Sequence, residues 1–172
     1  GGEQPTNGGI EPQAFSTESD DLQPSLPSFV VDSGANVNVC NDIKAFVELD
    51  PSFRYQVFTG DSRPISAGVG KIRIRVTTAQ GGDYILERDE VLYFPNFRTC
   101  LLSLYDEWTN RGTGMVFGNK SQDGERMLFL QTADGQEIEV YAERNRFEIF
   151  YSIPEDQPAL QRVRYADLEA FV

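Results

Sequence analysis

Histidine is absent from all 172 residues, and no other feature of the composition closes off as much chemistry. Without imidazole, neither a Ser-His nor a Cys-His nucleophile can be assembled, and zinc sites that depend on it are excluded. Cysteine is scarce. Cys40 and Cys100 are too few for a disulfide scaffold or a four-thiolate zinc site, and they suit a reducing compartment. No metal and no cofactor is expected. Basic residues are also in short supply, 15 Lys and Arg against 27 Asp and Glu, giving a net charge of -12 and an isoelectric point near 4.4. That balance repels phosphate backbones, so direct binding of nucleic acid is not expected. No apolar run approaches the roughly 18 residues of a membrane span, and the first residues are polar, so no membrane partner is expected either. Any reaction must rest on carboxylates, lysine, tyrosine, hydroxyls or the two thiols.

What the sequence does have is apolar surface. Hydrophobic residues make up 40%, with 12 Phe and 7 Tyr, enough for one packed core in a chain of this length. Residues 1–27 are rich in Gly, Pro, Gln, Ser and acid without an apolar period, and read as a disordered acidic linker. From Ser28 onward, short apolar runs alternate with turn residues, the layout of an all-β domain. Phe29, Val30 and Val31 form a compact strand ending at Asp32, Ser33 and Gly34. Tyr55 to Phe58 leads into Thr59, Gly60, Asp61, Ser62, Arg63 and Pro64, a hairpin turn by composition. Lys71 to Val76 alternates strictly, three aliphatics on one face and three basic groups on the other.

Tyr84 to Leu86 and Val91 to Phe94 read as two more strands. Met115 to Phe117, Met127 to Leu130, Glu137 to Tyr141 and Phe147 to Phe150 come next, with Asp134-Gly135 a turn between the second and third of these. Two short helices are predicted. One runs from a cap at Asn41 or Asp42 through Ile43, Phe46 and Val47 and stops before Pro51; the other is capped by Ser103 and covers Leu104 to Asn110, with Gly112 beyond it. A core over 28–118 is therefore succeeded by additional strands over 119–150, which continue the domain or belong to a following region. An acidic tail covers 151–172, with a possible helix from Pro158 to Phe171. Trp108 reads as a core anchor, and Lys71, Arg73 and Arg75 as a solvated face paired with acids. Cys40 and Cys100 read as buried small hydrophobes in preference to a redox switch.

The residues with chemistry to offer are Asp32, Ser33, Gly34 and Ala35. A buried strand delivers the carboxylate onto a tight turn, Ser33 can hydrogen-bond, and Gly34 lets another backbone come close. Asp-Ser-Gly is also an ordinary surface turn, so the motif gains meaning only from partner segments further along the chain. Those segments are Val57-Phe58-Thr59-Gly60-Asp61, Gly68-Val69-Gly70, Val91-Leu92-Tyr93-Phe94-Pro95 and Leu101-Leu102-Ser103-Leu104, in that order. The ordered set, over roughly residues 28 to 118, resembles the aspartic protease of copia-type retrotransposons and, more distantly, the retropepsins. Ser103 stands where retroviral enzymes usually carry Gly, as in the copia-type group. The stretch from Asn36 to Asn41 departs from the Ser or Thr, then His, that usually comes after the loop.

The resemblance implies a closed, barrel-like retropepsin fold and an endopeptidase whose catalytic loop is Asp32, Ser33 and Gly34. It implies a flap over substrate formed by Phe58, Thr59, Gly60, Asp61 and Ser62, with Ala35 also at the substrate. Leu101, Leu102 and Ser103 would pack beneath the loop, and the segments holding Cys40 and Cys100 would lie close together. The flap residues also suit a plain solvent-exposed hairpin. Aspartic peptidases need two carboxylates sharing a proton, and only one Asp-Ser-Gly occurs here, so a homodimer with the site on its two-fold axis is expected. The implied substrate is polypeptide, its own polyprotein first of all, in the cytoplasm or an intracellular retroelement particle. The rivals are a non-catalytic retropepsin-like binding or structural barrel and a cellular retropepsin-like shuttle protease.

Overall fold

The alternation from Lys71 to Val76 sets the pattern for the whole fold. It falls within a long strand that buries Ile72, Ile74 and Val76 and leaves the three basic groups at the surface. The computed structural model describes residues 26–120 and 126–160. Its strands are β1 (Ser28–Asp32), β2 (Asn38–Cys40), β3 (Phe46–Asp50), β4 (Gly68–Thr77), β5 (Asp83–Tyr93) and β6 (Cys100–Ser103). After these come α1 (Leu104–Arg111), β7 (Gly114–Lys120), β8 (Arg126–Gln131), β9 (Glu137–Glu139), β10 (Tyr141–Glu143) and β11 (Arg146–Ser152). The all-β expectation holds, and α1 is the one α helix among the described residues.

Six strands close on themselves as a barrel. β11 pairs antiparallel with β1, β1 parallel with β6, β6 antiparallel with β2, and β2 parallel with β5. β5 then pairs antiparallel with β4, and β4 returns to β11 through Val76 opposite Tyr151. Closure removes the open edges that a flat sheet would expose. β3 extends the wall beside β4, and β10 extends it beside β11. A separate sheet of β9, β8 and β7 packs against the barrel, and the β8–β9 hairpin turns at the expected Asp134-Gly135. Inside lie fully buried Phe29, Phe46, Ile72, Ile74, Leu86, Leu102 and Ile149, each contributing about 1.5–3 kcal/mol by leaving water. A second, smaller cluster of Val39, Leu92 and Phe94 sits on the outer side of the wall, packed with Val37, Val57, Val69 and Leu101.

Several local expectations need correction. The helix predicted through Phe46 and Val47 is only a 3₁₀ turn, Ile43–Ala45, capped by Asp42; Phe46 onward is β3. Aromatic and β-branched residues pair well along a strand, and β4 offers an edge to pair with, so tertiary context overrides the capping signal. The two strands expected over 84–94 are one, continuous through β5. The run from Glu137 to Tyr141 breaks at Val140 into β9 and β10. Trp108 is not a core anchor: it is 73% exposed on α1, while its neighbour Glu107 is fully buried. Glu107 tolerates burial because Arg88 of β5 grips it with two bonds, Nε to Oε2 at 2.6 Å and Nη2 to Oε1 at 2.7 Å. The second helix otherwise matches expectation, with Ser103 as N-cap and Gly112 ending it in the left-handed conformation. The linker expected over residues 1–27 lies, up to residue 25, outside the described residues, as does the possible helix beyond Leu160.

Candidate functional site

β1 carries Asp32 to the end of its parallel pairing with β6, where Asp32 stands opposite Ser103. The chain then turns through exposed Ser33 and Gly34. The Gly34 N–H donates to Asp32 Oδ1 at 2.7 Å, and the other carboxylate oxygen has no hydrogen-bond partner among the described residues. A Cβ on Gly34 would lie 3.3 Å from Oδ1, so only glycine lets the turn close without crowding the carboxylate. Asp32 is thus half-buried at the base and open at the tip.

The loop is braced from behind. Ser103 is fully buried, and its hydroxyl donates to the Ala35 carbonyl at 2.7 Å while accepting from the Asp106 N–H at 3.0 Å. The same hydroxyl therefore caps α1 and pins the chain just past Asp32. Asn38 completes the brace: its side-chain oxygen accepts from the Ser103 N–H at 2.7 Å, and its amide donates to Asp106 Oδ2 at 3.3 Å. Burial pushes the Asp106 carboxyl up, but hydrogen bonds from Asn110, Arg111 and Asn38 and the Arg111 charge outweigh it and hold it below the ordinary carboxylate range. Leu102 is buried under the loop and Leu101 joins the outer cluster.

Neither Asn38 nor Asp106 was a site expectation. The available signal was the polar residue between Val37 and Val39, where strand alternation leaves no turn to explain it.

Over the outer cluster lies a groove of about 590 Å³. Asn36 and Val37 line it from the chain just past the loop, Tyr55 to Phe58 from the hairpin, and Val69, Glu90 and Leu92 from the barrel wall. The hairpin itself is a narrow ladder. Val57 N–H donates to the Pro64 carbonyl at 2.9 Å, and Thr59 and Ser62 exchange backbone bonds of 3.1 and 2.9 Å around Gly60 and Asp61. Gly60 has φ 56°, which a tight two-residue hairpin turn needs at its first central position. Phe58 is 71% exposed and carries the Arg63 guanidinium on its ring at 4.4 Å. Of the residues expected at substrate, Phe58 lines the groove; Ala35 is held by Ser103, and Thr59, Gly60, Asp61 and Ser62 form the exposed hairpin tip.

Cys40 and Cys100 face each other inside the barrel with sulfurs 3.8 Å apart, both buried and both free. The hydrogen bond between them pushes the Cys40 thiol up and the Cys100 thiol down, and the Asn41 N–H aimed at Cys100 Sγ works in the same sense for Cys100. Tyr151, shifted upward by burial and by the Asp42 carboxylate it donates to at 2.9 Å, stays protonated beside them. No cluster of His, Cys, Asp or Glu suited to a metal occurs among the described residues.

Fold and site together define a closed six-stranded β barrel that presents an Asp-Ser-Gly turn beside an apolar groove. Residues 29–112 match the family model described as the Pol polyprotein beta-barrel domain, which supports a retroelement polyprotein domain. The matched stretch holds five of the barrel's six strands and α1; β11, the sixth, lies beyond it. No curated protein and no solved structure matches the chain.

Proposed function

We propose that this domain is the aspartic endopeptidase of a retroelement polyprotein, acting as a homodimer in which each copy supplies one Asp32 carboxylate. The observation that carries the reading is the position of Asp32: it ends a barrel strand, has one oxygen free, and opens a loop that Ser103 and Asn38 brace from behind through the Ala35 carbonyl. Such bracing fixes a side chain in the way that catalysis demands of a positioned group. In the dimer, one carboxylate activates water while the other, holding the shared proton, protonates the scissile carbonyl oxygen. The amine leaves with a proton, and the pair returns to its singly protonated state. The hairpin around Gly60 and Asp61 serves as a flap that covers bound polypeptide and sheds water from the site. The substrate is the surrounding polyprotein, in the cytoplasm or an intracellular particle.

The test is incubation of the purified protein with a catalytically inactive copy of its own precursor. Defined fragments are expected from the wild type and none from Asp32→Asn, which is nearly isosteric but cannot cycle a proton. Undiminished cleavage by well-folded Asp32→Asn would refute the assignment. No cleavage by a dimeric wild type would favour a non-catalytic barrel that binds or scaffolds.

A further inference from the structure

Three consecutive charged residues on β5 are placed quite differently. Arg88 is committed to buried Glu107, and Asp89 pairs with Arg111 at 2.8 Å. Glu90 makes no ion pair and no side-chain hydrogen bond among the described residues, yet its backbone is held in the left-handed region at φ 56°. The register explains the backbone. Gly70 pairs with Val91 and Ile72 with Arg88, so Asp89 and Glu90 together face Lys71 alone. That extra residue is a β-bulge, and the left-handed position in such bulges ordinarily falls to glycine. A glutamate there is strained, and the strain is not relieved by any partner for its side chain.

What the bulge accomplishes is a change of direction. Val91 resumes the buried face, while Glu90 joins Leu92 on the groove side. Glu90 is the one charged residue lining a groove otherwise walled by Val37, Tyr55, Val57, Phe58, Val69 and Leu92, with the amides Asn36 and Gln56. Arg63, on the hairpin, is stacked on Phe58 and bonded to the Gly60 and Ser62 carbonyls. A carboxylate with no partner, against apolar walls, attracts a cation and repels an anion.

We propose that Glu90 is a specificity-determining residue. On the peptidase reading of the site, on which this inference rests, it selects polypeptide segments that place an arginine or lysine beside a large apolar side chain in the groove. Arginine suits it better, since the guanidinium fork matches a carboxylate and stacks on Tyr55 or Phe58.

The experiment separates binding from cleavage. Full-length Asp32→Asn protein is titrated, by fluorescence anisotropy, into labelled octapeptides that differ only at a central Arg, Gln or Glu flanked by Leu and Phe. The Arg peptide is expected to bind about three- to five-fold more tightly than the Gln peptide at low salt, the range for an exposed charge pair. Adding Glu90→Gln, which keeps the shape and the backbone strain, should abolish the difference, and Glu90→Lys should turn the preference towards the Glu peptide. Raising the salt should compress it. Equal binding of Arg and Gln peptides, a preference that survives Glu90→Gln, or failure of all three to bind at the highest soluble concentration would each overturn the assignment. Wild-type protein offered the same peptides tests the other claim. A Glu90-dependent preference without any cleavage sinks the peptidase reading alone, and cleavage indifferent to Arg sinks the Glu90 assignment alone.

Discussion

Asp106 is where the braced loop meets pH. Its carboxylate takes bonds from Asn110 at 2.8 Å and Arg111 at 3.0 Å, besides Asn38, and these hold it below its unfolded value. A depressed carboxylate stabilises fully above the unfolded value of about 3.9, and that contribution is lost as the pH falls through the folded value. Asp106→Asn should therefore cost about 1 kcal/mol near neutral pH, the pair with Arg111 being partly exposed, and progressively less in acid. Urea melts of both proteins at neutral pH and near pH 3 check this, because the midpoints must draw together in acid. A gap that stays constant would assign the effect to lost shape. At this scale the sequence is legible where the motif is local: Asp32, Ser33, Gly34, Leu102 and Ser103 lie where their order suggests. Asn38 and Asp106 escape notice because each gains its meaning from a partner 65 or 68 residues away. Trp108 misleads for the opposite reason. Its size argues for the core, but α1 turns Glu107 inward to meet Arg88 and leaves the indole at the surface, against Gly114.

Among elements, the join of α1 to β5 depends on the pair Arg88 and Glu107, whose side chains are 11% and 0% exposed. Glu107→Gln keeps the volume but leaves the guanidinium unneutralised, at a cost of about 3 kcal/mol. Glu107→Met combined with Arg88→Met should instead cost much less than Glu107→Gln alone, since an apolar replacement of both partners is often neutral. Denaturant midpoints of the single and double variants decide it, and equal losses in the two would show that packing, not charge, makes the join. Strands with clean alternation, β4 above all, are readable from sequence because each residue reports its own face. The continuity of β5 is not, since Glu90 in a bulge looks like a turn between two strands. Closure by β11 leaves no local trace at all: an apolar run has the same appearance whether it pairs with β1 and β4 or ends a separate hairpin.

For the whole molecule, charge and assembly are opposed. Each copy carries -12, so pairing two of them brings like fields together. At about 0.15 M salt the screening length is roughly 8 Å, and below that concentration the repulsion reaches further. The proposed dimer should tighten with added salt and with moderate acidification towards the isoelectric point of 4.4, and specific activity should climb with protein concentration. Sedimentation velocity alongside peptide cleavage measures both. Full activity from a monomer would defeat the shared site, and salt-insensitive assembly would defeat the charge argument alone. The ring has a further consequence in time. β1 is translated early, but its antiparallel partner β11 leaves the ribosome last of the barrel strands. At about 5–20 residues per second, the strand bearing Asp32 waits several seconds for the segment that seals it. A nascent chain halted before Arg146 should be digested readily by added protease and one released past Leu160 should resist, because the ring around Asp32 closes only when its last strand arrives.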